Sequence, residues 1–131
     1  MRRFLRLTRE PLDETALRSG RSASGGAGAV VEFLGIVRGS ENGDAIVGLD
    51  YEAFEPMAEH QFGRIFDAVE RRWPTVESVR LVHRLGPVAV GDASLWVELV
   101  SAHRGEAFAA CQWLIDEMKR VVPIWKRALP V

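Results

Sequence analysis

Short apolar runs separated by turn residues dominate the hydrophobic pattern of the chain. Runs of this length that are rich in valine, leucine and isoleucine are typical of β-strands. They predict five strands, at residues 2–8, 29–37, 45–53, 77–84 and 94–102. Asn42-Gly43 is the strongest hairpin-turn signal in the chain, and Gly86-Pro87 and Gly91-Asp92 mark further turns.

Two longer stretches repeat their apolar residues at helical spacing. They predict one helix from Glu55-Pro56 to about Trp73 and another from about Arg104 to about Arg120, each followed by a proline that ends it. A short helix is predicted to follow Asp13, a suitable N-cap. The predicted buried faces are Phe62, Ile65, Phe66, Val69 and Trp73 in the first long helix and Phe108, Cys111, Ile115, Met118 and Val122 in the second.

The order of these elements indicates the fold class. Strands and helices do not alternate strictly, which favours an α+β domain with helices packed on a sheet over a doubly wound parallel sheet. Residues 19–28 are predicted to form a loop, and residues 124–131 a short irregular end. A length of 131 residues suits a single domain, predicted to span residues 1–131.

Composition excludes several classes of function. Seventeen basic and 18 acidic residues give a net charge of −1, so the chain lacks the basic field of a nucleic-acid-binding protein. Cys111 is the single cysteine, which excludes an intrachain disulfide and a cysteine metal cage. The spacing of His60, His83 and His103 matches no metal-ligand motif, so no metal site is expected. Neither a secretory signal nor a membrane-length apolar run is present, and a cytoplasmic protein is expected.

Lysine is rare in a chain that otherwise uses arginine. The sequence has 15 arginines but two lysines, Lys119 and Lys126, seven residues apart around Pro123. A lysine amine can lose its proton and act as a base, an acid or a nucleophile, which arginine does not do in proteins. The alternative is two solvated lysines near a helix C-terminus, where cations suit the helix dipole. Spacing alone favours two solvated lysines over two catalytic ones. The scarcity of lysine in the chain makes the catalytic interpretation stronger than spacing alone does.

Two further basic positions suit an anion site. His103 and Arg104 lie where a strand leads into a helix, and free N–H groups at a helix start attract anions. A pair of solvated side chains at a strand end explains the same residues equally well. Arg38 ends a long apolar strand, where site residues are common, although a solvated charge opening a loop is the simpler interpretation. His83-Arg84 is interpreted as structural.

Several segments, in this order, resemble the large, catalytic subunit of molybdopterin synthase, the MoaE family. The resemblance covers roughly residues 2–127. Each matching segment alone is weak evidence for the family, but five segments in the same order are specific to it. The matching segments are Gly28 to Arg38, Leu49 to Ala53, His83 to Gly86 with Gly91-Asp92, Ser101 to Arg104 with Ala107-Phe108, and Lys119 with Pro123 to Lys126.

The resemblance implies a fold, an assembly and a reaction. The fold would be of the α/β hammerhead type, with a mixed or antiparallel sheet, and the chain would form a homodimer within a heterotetramer. A small ubiquitin-like sulfur-carrier subunit would insert its thiocarboxylated C-terminal tail into a pocket of each protomer. Sulfur would pass to cyclic pyranopterin monophosphate and form the dithiolene of molybdopterin. The resemblance implies a sulfurtransferase that would need no permanently bound cofactor, with no nucleic acid or membrane taking part.

The resemblance also implies roles for individual residues. Lys119 would be the principal catalytic lysine and Lys126 its helper. The pocket for the partner's tail would consist of Phe33, Arg38, Ile115 and Met118. The substrate would be bound by Ile36, Val37, Arg38, His103, Arg104, Lys119, Lys126, Arg127 and Ala128.

The chain departs from the family near its C-terminus. Family members commonly have a glutamate where Ala128 stands and continue into a tail, whereas this sequence stops at Val131. The departure raises the alternative of a catalytically weakened homologue that only docks the small subunit. Retention of both lysines and of His103-Arg104 argues against that alternative. A third hypothesis, an unrelated enzyme with Lys119 as a Schiff-base nucleophile, predicts trapping by borohydride with a carbonyl substrate.

Overall fold

Eight strands and three helices follow one another in a computed structural model that describes residues 1–131. The α+β prediction is confirmed, since one sheet is mixed, the other is antiparallel, and the helices do not alternate regularly with the strands. The elements are β1 (Arg2–Thr8), α1 (Glu14–Ser19), β2 (Ala29–Ile36), β3 (Ser40–Glu41), β4 (Asp44–Ala53), α2 (Glu55–Arg72), β5 (Val76–Arg84), β6 (Gly86–Ala89), β7 (Ala93–Ser101), α3 (Arg104–Val121) and β8 (Ile124–Pro130).

The larger sheet has the strand order β1-β5-β7-β2. β1 runs parallel to β5, and the other pairs are antiparallel. Helices α2 and α3 cover one face of this sheet, because the apolar residues of both helices and the alternate residues of the strands bury one another. The centre of this core is fully buried and includes Phe62, Val69, Val79, Leu81, Val97, Leu99 and Leu114.

A smaller sheet is built around β4, which pairs with β6 along one edge and with β8 along the other. Asn42 and Gly43 both have positive φ, at 51° and 85°, and join β3 to β4 in the predicted hairpin turn. Gly48 lies where β4 is held on both sides, and a Cβ there would stand 2.6 Å from the carbonyl oxygen of Val88. The close strand packing therefore requires glycine at this position.

The fold confirms one local prediction and corrects others. The Asn42-Gly43 turn is present and joins the short β3 to β4, whereas β2 pairs with β7 in the larger sheet. The predicted turn at Gly86-Pro87 begins a strand, β6, and the predicted irregular end is the strand β8. Phe108 is 62% exposed, because the buried face of α3 consists of Ala107, Ala110, Cys111, Leu114 and Met118.

The face of the larger sheet opposite α2 and α3 carries a buried ion cluster. Glu98 on β7 is 1% exposed and accepts hydrogen bonds from Arg80 on β5, at 2.8 Å, and from Arg21 in the 20–28 loop, at 2.7 Å. Glu32 on β2 extends the cluster by pairing with Arg21 and Arg18. These pairs fix the loop and α1 to the sheet. No helix of the structure is both long and apolar enough to cross a membrane.

Candidate active site

A cavity of about 670 Å³ lies between the two sheets and the C-terminal end of α3. Its walls come from β2 and the segment after it, from β3, β4 and β8, and from the last turns of α3, while β5 and β7 supply its inner end. A cavity of this volume suits a small molecule or the end of a peptide.

Three cations from separate parts of the chain line this cavity, namely Arg38, Lys119 and Lys126. Arg38 and Lys119 are exposed and make no ion pair or side-chain hydrogen bond, whereas Lys126 Nζ lies 3.4 Å from a carboxylate oxygen of Glu41. Glu41 is the only carboxylate among the lining residues, so the cavity has an excess of positive charge. Such a site favours an anionic ligand.

The strand β8 determines which C-terminal residues face the cavity. Lys126 is the cross-strand partner of Tyr51, which also lines the cavity. Arg127 is the next residue, lies opposite Asp50 and pairs with that carboxylate at 3.1 Å. Because neighbouring strand residues point to opposite faces, Arg127 points away from Lys126 and does not line the cavity. Ala128 is on the same face as Lys126, but it is exposed and does not line the cavity either. Neither residue lines the cavity within this chain, and the substrate contacts that the resemblance assigned to Arg127 and Ala128 stay a prediction.

Apolar side chains form part of the cavity wall. Phe33 from β2 and Ile115 and Met118 from α3 all line it, as do Ile36 and Val37. Phe33 and Ile36 are 37% and 47% exposed, so both can contact a ligand without any rearrangement of the core. The structure thus brings together all four residues that the resemblance assigned to the tail pocket, which are Phe33, Arg38, Ile115 and Met118.

His103 and Arg104 lie away from this cavity. They line a separate surface depression at the N-terminal end of α3, together with Gly28, Ala102 and Glu106. Lys119 is fifteen residues further along the same helix, roughly 22 Å away at the rise of an α-helix. A single chain therefore does not bring His103 and Arg104 to a ligand held at Lys119, and the substrate contacts that the resemblance assigned to these two residues stay a prediction.

A neutral polar group at the inner end of the cavity was missed by the sequence interpretation. It consists of His83, Tyr51 and Ser94, which all line the cavity. The Tyr51 hydroxyl donates to the Ser94 hydroxyl at 3.3 Å, and the Tyr51 ring meets the His83 ring edge-on at a centroid distance of 5.1 Å. The sequence shows that His83 and Arg84 are neighbours. It does not show that β4, β5 and β7 meet at one cavity, which is what brings these three side chains together.

The single cysteine does not belong to the site. Cys111 lies in the core on the buried face of α3, and burial raises the pKa of its thiol to about 11. A thiol in this state is a poor nucleophile at neutral pH, because the thiolate is the reactive form. No group of three or more His, Cys, Asp or Glu side chains is arranged to hold a metal ion.

Comparison with known proteins identifies the family. The family model described as MoaE protein matches residues 7–121. The chain belongs to the MoaE family. A relative from Nostoc sp., named molybdopterin synthase catalytic subunit, is 44% identical over 100 residues, which cover 76% of this chain and 61% of the relative. The human protein of the same name is 38% identical over 102 residues, 78% of this chain and 54% of its own length. The matched part of the chain thus corresponds to between just over half and about three fifths of the length of these relatives.

Solved structures of MoaE relatives have the same fold. Molybdopterin synthase from Staphylococcus aureus superposes with a TM-score of 0.87 at 33% identity, over 96% of this chain and 90% of that one. A Helicobacter pylori structure, described as a protein-protein complex of subunits 1 and 2 of molybdopterin-converting factor, superposes with a TM-score of 0.79 at 25% identity, over 95% and 83% of the two chains. The arrangement of sheets and helices around the cavity therefore belongs to the family.

Proposed function

We propose that this MoaE-family chain is the catalytic subunit of a molybdopterin synthase. It would transfer sulfur from the thiocarboxylated C-terminus of a small ubiquitin-like subunit to cyclic pyranopterin monophosphate, forming the dithiolene of molybdopterin. The observation that carries the proposal is the cavity itself, in which both lysines of an arginine-rich chain line the same space beside Arg38. The names of the relatives support the same activity.

The shape and charge of the cavity suit two anionic reactants. A thin peptide tail could lie against the apolar wall at Phe33, Ile115 and Met118 and present its thiocarboxylate to the cations of the cavity. The substrate carries a phosphate, which also needs cationic partners. Arg38 and Lys119 have no carboxylate partner of their own, so both are free to bind these groups.

Lysine amines at this place can supply the chemistry of the transfer. As the thiocarboxylate sulfur attacks a carbon of the pterin, a carbon–sulfur bond forms and negative charge moves from the sulfur onto the oxygen displaced there, where an ammonium group stabilises it. Water then cleaves the partner's acyl–sulfur bond, which leaves the sulfur on the pterin and a carboxylate on the partner. The same amine can donate and take back a proton as the ring opens. We assign this role to Lys119, with Lys126 orienting the thiocarboxylate. Because the sulfur arrives already activated on the partner, the chain needs no resident cofactor and no cysteine of its own.

His103 and Arg104 enter the proposal only through a second copy of the chain. Roughly 22 Å of helix separates them from Lys119, so they could complete a cavity only from the other protomer of a homodimer. Arg127 and Ala128 are not assigned a substrate contact within the chain, because the side chain of Arg127 is held by Asp50 on the other face of β8.

Isotope transfer tests the proposal. The protein would be mixed with small subunit carrying a sulfur-34 thiocarboxylate and with cyclic pyranopterin monophosphate, and the product examined by mass spectrometry. We expect molybdopterin with both dithiolene sulfurs labelled, in equal yield from the native protein and a Cys111→Ala variant. Binding of the small subunit without product would favour a docking module, and product with unlabelled sulfur would refute the transfer.

A further inference from the structure

One histidine of the cavity has no role in the chemistry described above. His83 is 5% exposed, and its Nδ1 lies 2.8 Å from the carbonyl oxygen of Arg84. A carbonyl oxygen only accepts hydrogen bonds, so Nδ1 must carry a proton and donate it. In the neutral ring the lone pair is then on Nε2, the other nitrogen.

The Nε2 atom faces the cavity without a protein partner. Nε2 makes no hydrogen bond within the protein. The side-chain polar atoms that are fully buried and have no partner are Arg84 Nε and Trp96 Nε1, so Nε2 is not fully buried. The atom is therefore in contact with solvent, and the solvent-accessible space that His83 lines is the cavity. Burial lowers the pKa of His83, against the opposing effect of its bond to the Arg84 carbonyl, so the ring is neutral at neutral pH.

The orientation of this acceptor is fixed by its neighbours. The Tyr51 ring packs against the imidazole at an interplanar angle of 73°, and the Tyr51 hydroxyl is bonded to Ser94. The Arg84 carbonyl holds the opposite side of the imidazole ring. A side chain held at several points presents its acceptor in one direction, which is what specific recognition of a donor requires.

We propose that His83 Nε2 accepts a hydrogen bond from a ring N–H or amino group of the bound pterin and so orients the heterocycle against the lysines. The assignment rests on the proposed function. A lone pair repels a phosphate or carboxylate and attracts an N–H, so the anionic groups belong with Arg38, Lys119 and Lys126, while the neutral edge of the heterocycle belongs with His83. Lys126 is the cross-strand partner of Tyr51, which makes the two parts of the cavity neighbours.

Two substitutions of His83 separate this role from a structural one. Asparagine in His83→Asn can still donate from the position of Nδ1 but has no acceptor at the position of Nε2. Glutamine in His83→Gln reaches the position of Nε2 and can place its amide oxygen there. His60→Asn is the matched control, because His60 is exposed on α2 outside the cavity.

The experiment measures KM and kcat for cyclic pyranopterin monophosphate with thiocarboxylated small subunit, and melting temperature for each variant. We expect His83→Asn to raise KM on the order of 10- to 100-fold, His83→Gln to recover most of that loss, and His60→Asn to match the native protein. An unchanged KM in His83→Asn, or equal losses in both His83 variants, would overturn the assignment. Absence of product from the native protein would instead refute the proposed function.

Discussion

Lys126 differs from the other two cations of the cavity in having a carboxylate beside it. Its partner, Glu41, lies on the short strand β3, and the Nζ to oxygen distance is 3.4 Å. An exposed pair of this kind contributes little to stability, but it competes with any anion that approaches the same amine. If Lys126 binds the thiocarboxylate as proposed, Glu41 competes with that group for the same amine.

Removal of the Glu41 charge should strengthen the binding of the thiocarboxylate. In Glu41→Gln we expect KM for the thiocarboxylated small subunit to fall about two- to five-fold at low salt, because the amine no longer has a competing anion. Initial rates at saturating pterin substrate measure this, and the gain should shrink at high salt. Asp50→Asn is the control, since it removes an equal charge from Arg127 on the other face of β8. A KM that is unchanged or higher in Glu41→Gln would contradict the competition.

Residue type made part of the site predictable from the sequence. Lys119 and Lys126 were chosen as candidates because they are the only lysines in a chain with 15 arginines. Arg38 was chosen because it ends an apolar strand. Glu41 and His83 gave no such signal. Their importance depends on partners far away in sequence, 85 residues in the case of Glu41 and Lys126, and such pairs are set by the tertiary fold.

At the scale of elements, the position of Lys126 depends on the pairing of β8 with β4. The pairing extends from Ile46 opposite Pro130 to Ala53 opposite Ile124, with a register shift near Gly48. β4 therefore has a neighbour on each side, and it cannot move away from one without disturbing the other. Any change that displaces β4 should also displace Lys126.

Substitution of Gly48 tests this constraint. In Gly48→Ala the new Cβ would stand 2.6 Å from the Val88 carbonyl oxygen, closer than normal contacts permit. We expect a loss of about 2 kcal/mol in the free energy of unfolding and reduced activity. Gly63→Ala on α2 is the control, because its Cβ meets no atom within 4 Å, and it should stabilise the protein by about 0.5–1 kcal/mol. Denaturant unfolding measures both, and equal stability of Gly48→Ala and the native protein would contradict the account.

Elements with a strong local pattern were predicted well, and elements that depend on distant partners were not. The two long helices and five strands were found to within about two residues, and Asp13 is the N-cap of α1 as predicted. β8 was missed because a proline precedes it, a proline ends it and its residues show no clear alternation. Its strand conformation comes from hydrogen bonds to β4, which local sequence does not encode.

At the scale of the whole molecule, the Glu98 cluster joins β7, β5 and the 20–28 loop. Desolvation alone would raise the pKa of Glu98, but the hydrogen bonds from Arg80 and Arg21 outweigh it and the pKa is lowered below its ordinary value of 4.5. A lowered pKa in the folded state means that the charged carboxylate stabilises the fold above the unfolded pKa. This contribution is lost as the pH falls through the folded pKa.

Stability should therefore depend on Glu98 in a pH-specific way. We expect Glu98→Gln to lose about 3 kcal/mol at pH 7, because two guanidinium groups lose their buried counter-charge. The difference from the native protein should narrow as the pH falls below about 4. Glu117→Gln, which removes a surface pair with Arg120, should change the stability far less than Glu98→Gln does. Thermal unfolding across pH measures this, and a pH-independent difference for Glu98→Gln would contradict the assignment.

The distance between Arg104 and Lys119 makes a prediction about assembly. If Arg104 acts across a homodimer, mixed dimers of Lys119→Arg and Arg104→Ala chains should each contain one intact site. Random mixing of the two inactive variants should then restore about a quarter of native activity. Reconstitution after unfolding and joint refolding measures this, with separately refolded variants as the control. No recovery would show that Arg104 does not complete a cavity from the second protomer.

The position of the lysine amine is the most direct test of the central claim, that this cavity catalyses sulfur transfer through Lys119. Three proteins would be compared for molybdopterin formation with thiocarboxylated small subunit: the native chain, Lys119→Arg, and a swap that combines Lys119→Arg with Arg120→Lys. The swap keeps every charge and both lysines but moves one amine roughly 100° around α3, away from the cavity. We predict product from the native chain and a loss of at least about 100-fold in both variants. Product from Lys119→Arg at the native rate would contradict the account.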